Sequence, residues 1–129
     1  MRKILILLHC IIYYNGISQT SKLDSIYNIA NFYNKGYDLE LRHDDYVFSK
    51  IETYYIKALS IDSLIPTINY RLSRLYYDQS FYYNNLAKKN TKDAKKNKKI
   101  ANENYIKFLF YVERYQRITG KKVNIQYHP

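Results

Sequence analysis

Residues that interrupt helices or cross-link a fold are scarce in this chain. Its 129 residues include 3 glycines, 2 prolines, one cysteine and no tryptophan. Because glycine and proline supply most tight turns and strand ends, their scarcity argues against a turn-rich all-β fold and favours long helices. A single cysteine, Cys10, excludes an intramolecular disulfide and therefore the class of small disulfide-stapled proteins.

Tyrosine and basic residues are the types that the chain has in excess. There are 17 tyrosines, and the formal net charge is +10. Abundant Tyr, Ile, Asn and Lys are typical of a low-GC genome, so we read the tyrosines as background composition and not as a dedicated device. The length accommodates one domain with a moderate core.

The start of the chain has the pattern of an export signal. Two basic residues, Arg2 and Lys3, precede the apolar stretch Ile4–Tyr14, and two small residues, Gly16 and Ser18, follow it. The apolar stretch is shorter than the roughly 20 residues that a spanning helix needs. We therefore predict a signal peptide that is cleaved after residue 18 and a mature protein that is periplasmic or secreted.

Two other interpretations of this start remain as alternatives. A lipoprotein would be modified at Cys10, but His9 is too large for the small-residue position that precedes such a cysteine. An uncleaved membrane anchor is the second alternative, and the short apolar stretch disfavours it. Cleavage after residue 18 would remove the only cysteine from the mature protein.

Apolar residues at spacings of three and four predict the first two helices. Ser21 or Asp24 is a candidate N-cap for the first, which runs to about Leu41 although Gly36 weakens it by roughly 1 kcal/mol relative to alanine. Asp44 is the candidate N-cap of the second helix, whose apolar stripe continues to residue 61.

The same spacing predicts two further helices. Pro66 suits the first turn of the third helix, where its missing N–H has no partner to lose. The fourth helix runs from Ala101 to Tyr115 on the main apolar stripe, and Gly120 is a natural residue for its C-terminal cap. We therefore predict an all-α fold of about four helices.

Residues 88–99 form a lysine-rich segment with a local charge of +6, from seven lysines and one aspartate. Ala87, Ala94 and Ala101 recur every seven residues, which suits a helical extension, whereas a break near Asn90 would make the segment a solvated connector. Both readings stay open. The candidate polyanion contacts are Lys88, Lys89, Lys92, Lys95, Lys96, Lys98 and Lys99.

Anionic lipid or polysaccharide is the partner class that this lysine-rich segment suits. Each lysine near an anionic membrane contributes roughly 1 kcal/mol. Nucleic acid is not expected, because an exported protein meets little of it and the segment has no arginine for bidentate phosphate contacts. A polyanion- or membrane-surface-binding basic protein is therefore the alternative function.

No motif of catalysis, metal binding or cofactor binding stands in the sequence. Outside the export signal there is no cysteine, and the histidines are His43 and His128. His43, Asp44 and Asp45 are adjacent at a predicted helix start, where capping explains them better than metal binding. Glycine-rich phosphate loops and nucleophile elbows are missing as well. We predict a protein that is not an enzyme and needs no cofactor.

An internal repeat organises the predicted helices. The sequence YIKAL at 55–59 recurs as YIKFL at 105–109, and each copy follows a helix with a small residue one turn before a tyrosine. This arrangement resembles the tetratricopeptide repeat, a pair of antiparallel helices that stacks on its neighbours. The residues that carry the resemblance are Ile29, Ala30, Tyr33, Ile51, Tyr55, Ala58 and Leu59, then Leu72, Ser73, Tyr76, Ala101, Tyr105, Phe108 and Leu109.

The resemblance implies two stacked hairpins, at about 22–62 and 64–118, in a domain of residues 19–119 with a loose tail at 120–129. The links inside each unit are longer than in that family, and Asn69 takes a position that is usually bulky and apolar. A plain four-helix bundle is the alternative. Two repeats are fewer than such stacks usually need, so we expect support from self-association or from a partner.

The family uses the first helix of each hairpin to hold peptides on a concave surface. The resemblance therefore implies a non-catalytic scaffold for protein–protein interaction in a bacterial envelope, with an unidentified protein or peptide as its partner. Aromatic, amide and arginine side chains suit a peptide backbone and carboxylates. The candidate groove residues are Tyr27, Asn31, Asn34, Lys35, Tyr70, Arg74, Tyr77 and Asp78.

Overall fold

A computed structural model describes residues 2–41, 48–89 and 91–123, with side chains from residue 21 onward. The predicted helix start at His43, Asp44 and Asp45, and the tail beyond Val123, lie outside these residues. In the part of the chain that is described there is no strand, which confirms the all-α prediction. The four helices are α1 (Arg2–Glu40), α2 (Phe48–Ile61), α3 (Pro66–Lys89) and α4 (Ala94–Thr119).

The helices pack as two hairpins joined at one seam. α1 lies against α2 and α3 lies against α4, while α2 also touches α3. Short links make consecutive helices antiparallel neighbours. No helix in the described ranges is long and apolar enough to cross a membrane.

The connection between the hairpins is held by side chains. The Leu64 N–H donates to Asp62 Oδ1 at 2.9 Å. Asn69 is fully buried, and its side-chain amide donates to the carbonyl oxygens of Ser63 at 3.1 Å and Ile65 at 2.8 Å. The amide N–H groups are thus satisfied, which explains why a polar residue takes a core position, while its Oδ1 has no hydrogen-bond partner among the described residues.

Helix boundaries agree with the predictions in the middle of the chain. α2 ends at Ile61 and α3 begins at Pro66, as expected. Gly120 follows α4 with a φ of 69° and donates its N–H to the Gln116 carbonyl. The predicted start of the first helix was wrong, because Ser21 and Asp24 lie inside the continuous helix α1.

The lysine-rich segment divides between two helices. α3 ends at Lys89, residues 91–93 bend, and α4 begins at Ala94. Both predictions for the segment, a connector and a helical extension, are therefore partly right, since helical structure is interrupted between Lys89 and Ala94 and residues 94–99 are helical. The fourth helix starts seven residues before the predicted Ala101.

The core comes mainly from α2, α3 and α4. Tyr76 of α3 stacks on Tyr111 of α4 with ring centroids 5.6 Å apart and an interplanar angle of 13°. The small residues Ala58, Ser73 and Ala101 are buried, which lets the helices approach closely. The buried apolar side chains are Ile51, Tyr55, Ala58, Leu59, Ile68, Leu72, Tyr76, Ala101, Phe108 and Val112.

α1 meets α2 through a glycine. A Cβ on Gly36 would lie 2.6 Å from Cε1 of the fully buried Tyr55. Gly36 is thus a contact surface for an aromatic ring as well as a weak helix former. Ala30, the expected close-contact residue of the first helix, is exposed instead.

Candidate functional site

A cleft of about 440 Å³ opens where the end of α1 and the start of α2 face α3. Most of its lining comes from α3, at positions three and four residues apart, which places these side chains on one helical face. The lining residues are Glu40, Ile51, Thr67, Tyr70, Arg71, Arg74, Leu75 and Asp78.

Arg71 joins the two hairpins at this cleft. Its Nε donates to the Tyr33 hydroxyl at 3.0 Å, and its Nη1 donates to Glu40 Oε2 at 2.5 Å. The guanidinium carbon lies 4.3 Å from the ring centroid of Tyr37. Partial burial lowers the pKa of Arg71, but the Tyr33 hydrogen bond and the Glu40 charge outweigh it, so the net shift is upward. The arginine therefore stays charged and fixes α3 against α1.

The Tyr55 hydroxyl lies buried in the same neighbourhood. No described residue meets it at full hydrogen-bonding geometry, but the Glu40 carboxylate lies close enough to act on the phenol. Burial raises the pKa of Tyr55, and the negative charge of Glu40 raises it further. Its phenol is therefore neutral at any physiological pH.

The rim of the cleft carries charges of both signs. Arg74 and Asp78 are exposed, one helical turn apart. Loss of surrounding water raises the pKa of the Asp78 carboxyl, while the positive charge of Arg74 opposes the shift. Tyr70 rests on Tyr115 of α4, with ring centroids 5.3 Å apart, and so has a fixed position. The rim thus offers a cation, a carboxylate and an anchored phenol.

An apolar groove of about 410 Å³ adjoins the cleft. It lies between α1 and the first turn of α3, and Thr67 lines both depressions. Its other walls are almost wholly apolar. The groove is lined by Ile26, Ile29, Ala30, Tyr33, Ile65, Thr67 and Ile68.

Three of the eight predicted groove residues line the cleft, and all three are on α3: Tyr70, Arg74 and Asp78. The fourth α3 candidate, Tyr77, packs on Phe108 of α4 with ring centroids 5.2 Å apart. Tyr77 is half-buried against the core and does not line the cleft.

The four predicted groove residues on α1 lie outside the cleft. Tyr27 is 72% exposed, and Asn31 and Asn34 share its side of the helix. Lys35 extends toward α2, where its Nζ lies 6.0 Å from the ring centroid of Tyr54. The α1 residues that do face α3 are those that line the apolar groove, and three of them directly precede a predicted residue in the sequence.

Sequence reasoning missed Glu40 and Arg71. The two residues are 31 positions apart and meet only because the hairpins stack. For Arg71 one signal was available, since Thr67, Arg71, Arg74 and Asp78 recur at steps of four, three and four on one helical face. Nothing in the sequence distinguishes Glu40 from other acidic residues.

The lysines of residues 88–99 gather at the end of the α3–α4 hairpin, which we call the lysine tip. Lys88 and Lys89 close α3, and four more lysines occupy the first turns of α4. All seven lysines of the tip are exposed. Lys99 forms an exposed pair with Glu103 at 3.9 Å.

No family model, curated protein or solved structure matches this chain. Among the described residues no group of three or more His, Cys, Asp or Glu side chains is placed to hold a metal ion. What the cleft, the groove and the lysine tip bind must therefore follow from their own side chains.

Proposed function

We propose that the protein is an exported, non-catalytic scaffold of tetratricopeptide-like hairpins that binds an extended segment of a partner protein between α1 and α3. One observation carries the proposal: the apolar groove and the charged cleft share Thr67 and so form one continuous surface. Such a surface suits a segment with an apolar side chain at one end and charged or polar groups at the other.

The apolar groove supplies the affinity in this proposal. Ile26 and Ile29 face a cavity large enough for one aliphatic or aromatic side chain. Fully burying a leucine-sized side chain contributes roughly 1.5–3 kcal/mol. The groove alone would thus bind a partner weakly, and the polar contacts next to it would set orientation.

The charged cleft supplies the specificity. Arg74 can pair with a carboxylate of the segment, and Asp78 can accept from its N–H groups. Arg71 and Glu40 are paired with each other at 2.5 Å and hold the surface in shape. A preformed surface loses little conformational entropy on binding.

Export is the part of the proposal that rests on the sequence alone. The basic residues, apolar stretch and small residues of positions 1–18 support it. An N-terminal sequence of the protein recovered from the envelope fraction tests it. A chain that begins at Gln19 would support cleavage, and a chain that retains Met1 would exclude it.

The binding proposal is tested with the full chain and a random-peptide display library. Selected peptides are synthesised, and their dissociation constants are measured by fluorescence anisotropy. We expect Ile26→Ser and Arg74→Ala each to weaken binding about tenfold, which corresponds to roughly 1.4 kcal/mol. Both side chains are exposed, so the fold should be retained.

Matched changes away from the surface serve as controls. Leu64→Ser and Arg117→Ala alter exposed residues of the same kinds and should leave the dissociation constant unchanged. If the selected peptides bind all four variants equally well, the segment-binding site lies elsewhere and the proposal is wrong.

A further inference from the structure

The outer face of α4 carries a cluster of exposed apolar side chains among its charged and polar ones. Its inner face packs on α3 through Ala101, Phe108 and Val112. On the opposite side Ile106 is 67% exposed and Phe110 is 54% exposed, and Leu109 beside them is 43% exposed. Neighbouring exposed apolar side chains of this size mark a contact surface more often than isolated ones do.

Lysines continue this outer face toward the tip. Lys95, Lys99, Ile106 and Phe110 follow each other at steps of four, seven and four, so they share one side of the helix. About 10 Å of helix separates Lys99 from Ile106, at about 1.5 Å per residue. This side of the helix therefore carries lysines at the start of α4 and apolar side chains at its middle, with Glu103, the exposed partner of Lys99, between them.

The positive charge at the start of α4 interacts unfavourably with the helix dipole. Asp93 stands at the N-cap of α4 without a side-chain capping bond, and the first turn contains no acidic residue, whereas residues 95–99 include four lysines. Positive side chains are unfavourable at the positive end of the helix dipole, and lysines this close repel one another. An anionic counterpart would remove both costs.

We propose that the outer face of α4, together with the lysine tip, docks on the surface of an anionic lipid bilayer. Ile106, Leu109 and Phe110 enter the boundary between headgroups and acyl chains. The lysines lie among the anionic headgroups. This geometry is that of an interfacial helix, which combines an apolar face with basic residues. It is separate from the groove and the cleft.

The apolar residues favour lipid over other anionic partners. Nucleic acids and acidic polysaccharides offer negative charge but no apolar phase in which aliphatic side chains could be buried. A second copy of the chain also fits poorly. Parallel α4 helices would oppose the two lysine tips, and antiparallel ones would bring a tip against Arg114 and the Glu113–Arg117 pair, a patch without the net negative charge needed to attract it.

The absence of tryptophan allows a clean optical test. In the full chain, Phe110→Trp introduces the only tryptophan on the outer face. Its emission should shift to shorter wavelength with vesicles of phosphatidylcholine and phosphatidylglycerol, and not with phosphatidylcholine alone. Leu64→Trp, at a position 62% exposed between α2 and α3, should show no such shift.

Vesicle co-sedimentation of the full chain then separates charge from apolar contacts. Lys95→Gln with Lys99→Gln should lower the partition coefficient roughly thirtyfold, because each lysine near an anionic membrane contributes about fivefold. Ile106→Ser with Phe110→Ser should lower it roughly tenfold or more. Lys50→Gln with Lys57→Gln, and separately Leu64→Ser, should change it less than about twofold. Every variant keeps the same N-terminal apolar stretch, so that stretch contributes equally throughout.

Three results would overturn the proposal. The first is equal binding of neutral and anionic vesicles. The second is a Phe110→Trp shift that grows with protein concentration when no vesicles are present, which would make the face a contact between copies. The third is tighter binding of heparin or an oligonucleotide than of vesicles, with no loss for Ile106→Ser with Phe110→Ser.

Discussion

α1 and α3 are both the first helix of a hairpin, but they are held in opposite ways. α3 buries large side chains, among them Ile68, Leu72 and Tyr76. Among residues 21–40 of α1 only Gly36 is fully buried, and Ile29, Phe32, Tyr33 and Leu39 are half-buried against the core. The large buried side chains of α3 therefore fix that helix. The closest contact of α1 is instead at Gly36, where the ring of Tyr55 from α2 packs against the backbone of α1.

This difference explains how the groove arises. Because the large apolar side chains of α1 are at most half-buried, Ile26 and Ile29 can form one wall of the groove. α3 forms the other wall and is fixed by the core behind it. The second hairpin therefore provides the rigid side of the groove, and the first hairpin provides the more exposed side.

The largest expected effect comes from filling the gap in α1. In an ordinary helix, Gly→Ala stabilises by about 1 kcal/mol. Gly36→Ala should instead lower the free energy of unfolding by about 1–3 kcal/mol, since the new Cβ meets a ring that is fully buried and cannot swing aside. Urea denaturation followed by circular dichroism measures the change.

A double substitution and a second glycine complete this test. Tyr55→Leu should reduce the cost of Gly36→Ala, because it removes the ring atoms that clash. Tyr55→Leu should not alter the cost of Gly120→Ala, which stems from the left-handed backbone with no atom within 4 Å. A stabilising Gly36→Ala would show that Tyr55 does not seat against α1.

The next effect tests the link between the two hairpins. Arg71→Ala should cost about 2 kcal/mol, since it removes two hydrogen bonds and an aromatic contact from a largely buried site. The loss of stability for Arg71→Lys should lie between those of the wild type and Arg71→Ala, because an ammonium group cannot donate to Tyr33 and Glu40 at once as the planar guanidinium does. Thermal and urea unfolding measure both.

Arg117→Ala is the matched control for this link. Arg117 pairs with Glu113 at 2.8 Å, yet both side chains are more than two-thirds exposed. Exposed pairs of this kind contribute at most about 0.5 kcal/mol. Equal losses for Arg71→Ala and Arg117→Ala would mean that Arg71 does not hold α1 to α3.

The smallest effect compares two buried phenols. The Tyr76 hydroxyl donates a short hydrogen bond to Glu52, whereas that of Tyr55 has no partner among the described residues. Tyr76→Phe should therefore cost about 1–2 kcal/mol, and Tyr55→Phe should be neutral or slightly stabilising. Urea unfolding of the two variants measures the difference. A larger loss of stability for Tyr55→Phe than for Tyr76→Phe would mean that the Tyr55 hydroxyl makes the stronger polar contact.

Local signals account for what the sequence could predict. Pro66 and Gly120 act on their own backbone, so the start of α3 and the end of α4 could be read directly. The site depends on contacts between hairpins, and no local signal specifies those. Contacts between helices are hidden in the same way: Gly36 looked like a defect in a helical pattern, yet it provides the space that the Tyr55 ring of α2 occupies.

The cleft was only half predictable for the same reason. Tyr70, Arg74 and Asp78 were predicted from the groove positions of the repeat that the sequence resembles, and they line the cleft on one face of α3. On α1, three of the four predicted residues are one position away in sequence from residues that line the apolar groove. The rotation of α1 about its own axis decides which residues face α3, and the contact of Tyr55 with Gly36 sets that rotation. Spacing along one helix cannot reveal how that helix is rotated against another.

The order of packing along the chain also bears on how the molecule reaches its fold. The principal contacts join α1 to α2, α2 to α3 and α3 to α4, each pair adjacent in sequence. Helical proteins of such low contact order fold in roughly microseconds to milliseconds, because little loop entropy is lost before contacts form. Arg71 and Glu40 can meet only after both hairpins have closed. Their pair therefore belongs to the last step of folding, and breaking it should speed unfolding far more than it slows folding.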